Sequence, residues 1–284
     1  MRIFDPHIHT NSRTTDDYRM MRAAGVRAVV EPACWVGQPR TCEGTFVDYF
    51  DTLLGWEPLR AAEFGVAHHC ALGLNPREAN DQRCAPVLSI LPRYLVKDHV
   101  VAVGHTGFEA ITPAEERAFV RQLELAREHE LPVLVRTPSQ DPVRGAARTL
   151  DLLAASGIDP TLVLVDHLTE LTVRQVHEAG YWKGFTVYPD TGTDPSRMVR
   201  LLREFGTERT LVSSAADWAA GDPLATWATG AAMLAAGFEA RVLDRLLWDN
   251  PVAFYRRSGR LELLPTEGRT RPADRRPAIG WGAR

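Results

Sequence analysis

Short apolar runs alternate with longer amphipathic stretches along most of this chain. Eight runs have the length and Val/Ile/Leu density of strands buried on both faces. They are IFDPHIH (3–9), AVVEPA (28–33), AHHCALGL (67–74), VVAVGHT (100–106), PVLVRTP (132–138), TLVLVDHL (161–168), GFTVYP (184–189) and TLVSSA (210–215). Between and after them the spacing predicts helices over 15–25, 45–65, 86–98, 113–130, 143–157, 170–180, 195–206 and 223–248. The helix over 113–130 has the clearest start. Thr112 suits its N-cap, Pro113 its first turn, and Glu115 and Glu116 its positive end. Gly25, Gly65, Gly157, Gly180 and Gly206 stand where helices should end in a left-handed turn. Eight strand–helix units predict an α/β fold, a single (β/α)8 TIM barrel over residues 1–258, with a doubly wound open sheet as the alternative. Residues 259–284 carry six Arg against three acids and little apolar periodicity, so they read as a flexible tail, with a docked arm as the alternative.

The remaining bulk properties narrow the class. A length of 284 residues suits one barrel, which typically needs about 250. The net charge of −3 offers no electrostatic case for nucleic acid or an anionic membrane. The opening MRIFDPHIHT lacks the apolar core of a signal peptide, and no stretch approaches the ~18 apolar residues of a membrane span. Cys34, Cys42, Cys70 and Cys84 form no CxxC pair. These features point to a cytoplasmic protein with reduced thiols, acting on a small molecule.

Functional side chains of a barrel gather at the C-terminal ends of its strands. The first predicted strand ends in His7-Ile8-His9, and residues two apart on a strand share a face. Both imidazoles are therefore expected at the mouth. The sixth ends in Asp166-His167, with His167 expected at the mouth and Asp166, of opposite parity, toward the helices or a neighbouring loop. Counting by twos from Leu211 turns Asp217 inward after the eighth strand. Three imidazoles and one carboxylate suit Zn2+, Mn2+ or Fe2+. The plainer reading of the histidines is a polar strand end, and of Asp217 a helix N-cap. His105, counted from Val103, faces inward either as a ligand or as a hydrogen-bonded neighbour. Glu31 has three open roles: metal binding, orienting an imidazole, or pairing with Arg136. Arg136 suits a substrate phosphate or carboxylate, or a bridge to Glu31 or Glu109. Arg77, Asn75 and Arg40 are further candidates for anion recognition, and Trp35, Tyr188 and Trp218 for pocket walls. His68 and His69, early in their strand, are expected in the lower half of the barrel.

These motifs resemble the TatD-like metal-dependent hydrolases of the amidohydrolase superfamily, over about residues 1–257. The matching features are FDPHIH, VAVGHTGFE, LPVLVRTP, VLVDHLTE, the aspartate after the eighth strand, and WDNPVAFY. NPREAN, TVYPDTG and SSAADW resemble a subgroup found in Ebo-type biosynthetic gene clusters. The resemblance implies a barrel that commonly binds two metals and cleaves phosphoester bonds. Two positions depart from it. His105 stands where the family usually has a bridging glutamate, and Arg136 where it usually has a metal-binding histidine. A guanidinium has no lone pair to donate and stays protonated. The expectation is therefore one divalent ion, Zn2+ foremost, bound by His7, His9, His105, His167 and Asp217. Asp217 and His167 would act in hydrolysis of a phosphoester or an amide or ester bond, with Arg136, Glu109 and Glu31 binding substrate. The competing expectations are a metal-free isomerase or lyase and a non-catalytic scaffold or binding protein.

Overall fold

The computed structural model describes residues 1–37, 39–189 and 193–264. Eight parallel strands pair in chain order: β1 (Ile3–Asp5), β2 (Val26–Pro32), β3 (Ala67–Leu72), β4 (Val100–Gly107), β5 (Val133–Arg136), β6 (Val163–Asp166), β7 (Trp182–Thr186) and β8 (Thr210–Ser213). Every connection runs through helix, and the sheet curls into a nearly closed (β/α)8 barrel. The β1–β8 seam is joined above the strand ends. There Ala215 N–H donates to His7 O at 2.8 Å, and His9 N–H to Ala216 O at 2.9 Å. The Asp5 carboxylate accepts from Ser214 N–H across the same seam. The loops that follow β1 and β8 are thereby laced together.

Strand alternation divides the apolar residues into two layers. Ile3, Val29, Val133, Val135, Val163 and Val165 pack outward in one cluster with the helices. Phe4, Val30, Ala71, Val101, Leu134, Leu164, Trp182 and Leu211, from all eight strands, belong to a second cluster inside the barrel. Inward parity at Leu134 and Leu164 carries on to Arg136 and Asp166, which are register partners at the tops of β5 and β6. Helix ends follow the sequence logic. Thr112 Oγ1 accepts from Glu115 N–H, and Glu115 reaches back to Thr112 N–H, a reciprocal cap that starts Pro113–Glu128.

The lower opening is plugged by the segment after the last long helices. Trp248, Phe254 and Tyr255 join the inner cluster, Tyr255 stacks on Phe4, and Asn250 Nδ2 donates to the carbonyls of Thr207 and Thr210. The expected tail starts here too, but its first residues are docked. Leu261 and Leu263 pack on the inner cluster, and His69 Nε2 donates to Glu262 O at 2.8 Å. The rest of the tail, 265–284, lies outside the described residues. No described helix is long and apolar enough to cross a membrane.

Burial lowers His69 from 6.5 to about 4. Between those pH values the unfolded chain binds a proton there that the folded chain does not, so stability falls as pH drops from 6.5 and is unaffected above it. His69→Gln keeps a donor for Glu262 and removes the titration. The urea midpoint of the parent protein should therefore fall more steeply than that of the variant between pH 6.5 and 4.5. Parallel curves would contradict this reading.

Candidate metal centre

A cavity of about 560 Å³ opens at the C-terminal ends of the strands. Its floor is made of His7, His9, His105 and His167, and its walls include Trp35, Arg77, Arg136, Tyr188, Asp217 and Trp218. That volume suits a small molecule.

β1 stops at Asp5, two residues before His7, so the histidine pair is not held by the strand ladder as expected. Ile8 is buried in the outer layer and, with the seam bonds, turns both flanking rings inward. The two Nε2 atoms lie 3.1 Å apart. Two nitrogens about 2.0–2.1 Å from one Zn2+ span a similar gap. The opposite nitrogen of His7, Nδ1, bonds Asp166 Oδ2 at 2.8 Å. A carboxylate behind a ligating imidazole is the usual means of fixing its tautomer and raising its basicity.

Asp166 is the residue that parity counting misplaced. Leu164 faces the interior, so Asp166 does too, and it is His167 that breaks alternation, with φ at 59°. Gly184 on β7 makes room for it. A Cβ there would fall 2.5 Å from Asp166 Oδ1 and 2.9 Å from its Cα. This glycine was the signal in the sequence that a large polar group enters the barrel beside β7. Ligand atoms of His7, His105, Asp166 and His167 all lie within 4.8 Å of one another.

His105 reaches the centre by another route than the one expected. Val103 packs outward, and the β4–β5 register shifts between Val103 and Thr106. Its Nε2 sits 3.4 Å from Asp166 Oδ2 and is buried without a hydrogen bond, as is His9 Nδ1. An orphaned ring nitrogen amid a carboxylate and other imidazoles is what a cation site requires, so the residues present fit a divalent metal. His167 has both nitrogens engaged, Nδ1 with Thr186 Oγ1 at 3.0 Å and Nε2 with Arg136 at 3.3 Å.

Burial holds all four imidazoles in their neutral, ligating form. It lowers His9 to about 4, lowers His7 and His105, and takes His167 well below its ordinary value. Burial opposes the charge of Asp166 as well. His167 beside it, the hydrogen bond from His7 and the close approach of the His105 ring outweigh that cost and hold it well below the usual carboxylate range.

Asp217 lines the cavity but stands outside the compact group. β8 ends at Ser213 and Ala215 has φ at 42°, so strand counting does not extend to it. Its Oδ1 accepts from Tyr188 OH at 2.8 Å and from Ala219 N–H at 2.9 Å. Arg13 binds its carbonyl.

Of the roles expected of Glu31, only the pairing with an imidazole is found, and that imidazole is His68 rather than a cavity histidine. Val30 faces inward, so Glu31 turns out toward the helices, fully buried and away from the cavity lining. Its carboxylate accepts from Thr10 N–H and Thr10 Oγ1 and pairs with His68 at 2.9 Å. It neither pairs with Arg136 nor reaches a substrate; it anchors the loop that leaves His9. Arg136 instead bonds Glu109, through Nε at 2.9 Å. Glu109 itself is not part of the cavity lining.

Comparisons with known proteins agree with this fold. The family model of TatD related DNases matches residues 4–216. An uncharacterised metal-dependent hydrolase of Methanocaldococcus jannaschii is 25% identical over 254 residues, covering 89% of this chain and all of the relative. The crystal structure of a TatD-like protein from Archaeoglobus fulgidus is 27% identical and superposes with a TM-score of 0.75, over 89% of this chain and 99% of the other. The TatD homologue YjjV of Escherichia coli K12 shares the fold at 19% identity and a TM-score of 0.67, over 89% and 97% of the two chains. A buried histidine–aspartate centre at the mouth of such a barrel accords with the match, and the chain belongs to the TatD related DNase family as a TatD-like metal-dependent hydrolase.

Proposed function

We propose that the protein hydrolyses a phosphoester, or an amide or ester, of a small anionic molecule with one divalent ion, Zn2+ before Mn2+ or Fe2+. The observation that carries this reading is the convergence of His7, His105, Asp166 and His167 within 4.8 Å on the cavity floor, with Asp217 on the wall. His7, His9 and His105 would hold the ion, Asp166 would orient and charge-balance them, and His167 would stand at the edge. When bound, the ion supplies a Lewis acid that polarises the scissile bond and acidifies water.

The chain's own residues do the rest. Asp217 takes the proton from the attacking water and returns it to the leaving group. Oδ1 is pinned by Tyr188 and Ala219, and Oδ2 carries no protein hydrogen bond among the described residues. One oxygen thus fixes the carboxylate and the other remains for proton transfer. Arg136, seated between Glu109 and His167, offers fixed positive charge beside the imidazoles. A guanidinium cannot ligate a metal, and it stands where the resemblance implies a metal-binding histidine, which supports a single ion.

Two variants test this assignment. Asp217→Asn should lower kcat by about 10²–10⁴ while metal content and melting temperature stay at parental values. Undiminished turnover in a phosphoester and carboxyl-ester screen would remove Asp217 from the reaction. Asp166→Asn should weaken metal binding about 10- to 100-fold, read by competition with a chromophoric chelator. Unchanged affinity would mean that Asp166 neither binds nor orients the ion's ligands.

A further inference from the structure

Two arginines from different elements share one carboxylate at the cavity wall. Arg77, just after β3, gives its Nε to Glu109 Oε1 at 3.1 Å, and Arg136, ending β5, gives its Nε to Glu109 Oε2 at 2.9 Å. Both arginines line the cavity, whereas Glu109 lies behind them. Each guanidinium therefore spends its Nε on the clamp; Arg77 keeps both terminal nitrogens and Arg136 keeps one. Those of Arg77 bond no protein group among the described residues, and its Cζ lies 6.0 Å from the centre of the Trp35 ring. Arg136 touches His167 Nε2 through Nη1.

A structural salt bridge needs only one arginine to balance Glu109. Two leave a net charge of +1 turned to a cavity that suits a small molecule. We infer that Arg77 and Arg136 form a receptor for a singly charged oxyanion of the substrate, a carboxylate or a phosphodiester. Planar, multidentate oxyanion recognition is what paired guanidinium groups provide. Arg136 sets one edge of the receptor beside the imidazoles, and Arg77 extends it toward Trp35. The anion recognised there is a handle that places the scissile bond over the metal-binding residues, and it is not itself the group cleaved. This inference rests on reading the cavity as the hydrolase site, and it supplies the substrate class: an ester, amide or phosphoester bearing a second, intact anionic group.

Direct binding separates the receptor from catalysis. Benzoate, dimethyl phosphate and neutral benzamide are titrated by calorimetry into metal-loaded protein and into protein stripped with chelator. One or both anions should bind in both preparations, and benzamide should not. The tighter of the two anions identifies the handle. Arg77→Gln should weaken the anion about 10- to 100-fold. In a matched pair of anionic and neutral substrates, it should raise KM for the anionic member with little change in kcat. Glu109→Gln, which releases the clamp but leaves both cations, should weaken anion binding in stripped protein as well. Absence of anion binding, or binding that survives both Arg77→Gln and Arg136→Gln, would overturn the receptor even if the protein hydrolyses neutral esters. Anion binding without hydrolysis of any substrate would sink the hydrolase reading and leave the receptor standing.

Discussion

A carboxylate buried at the top of a barrel interior is the constraint around which this centre is built. Asp166 is almost wholly removed from water, and an isolated charge there would cost several kcal/mol. It persists because His7 donates to it, His105 lies beside it, and His167 follows it through a left-handed turn. Gly184 leaves the space it fills. The same carboxylate fixes the His7 ring, so that Nε2 faces His9. Burial keeps the imidazoles neutral, and neutral imidazoles are ligands.

The barrel makes this arrangement possible by closing its seam with the functional loops themselves. The backbone bonds from Ala215 to His7 and from His9 to Ala216 tie the histidine pair to the loop that bears Asp217. Glu31 holds the next turn of the same loop from below, through Thr10 and Asn11. Fold stability and site geometry thus share their hydrogen bonds. On the opposite side, Arg136 pairs with Glu109 and brings fixed positive charge to the cavity wall.

Much of this was legible in the sequence. Apolar runs of strand length separated by capped helices defined eight units, and the reciprocal cap at Thr112 and Glu115 is as the residues suggested. Strand counting was less dependable, because it needs both the correct starting parity and an unbroken strand. Leu164 faces inward, which reverses the expected roles of Asp166 and its surroundings. His105 enters the centre across a register shift that no count from Val103 foresees. Glu31 reads as a mouth carboxylate by position, yet Val30 takes the inward place and leaves it among the helices. The docking of Leu261 and Leu263 stood in the sequence only as the alternative to a flexible end, since two leucines amid Arg- and Pro-rich composition carry no periodic signal.

The central claim is that this centre takes one divalent ion and that Arg136 and His105 leave no second site. Elemental mass spectrometry of untagged protein, reconstituted in turn with Zn2+, Mn2+ and Fe2+, addresses it most directly. The account predicts about one ion per chain, lost from a His7→Ala/His9→Ala double variant that retains parental secondary structure. Two ions per chain, or none with any of the three metals, would contradict it.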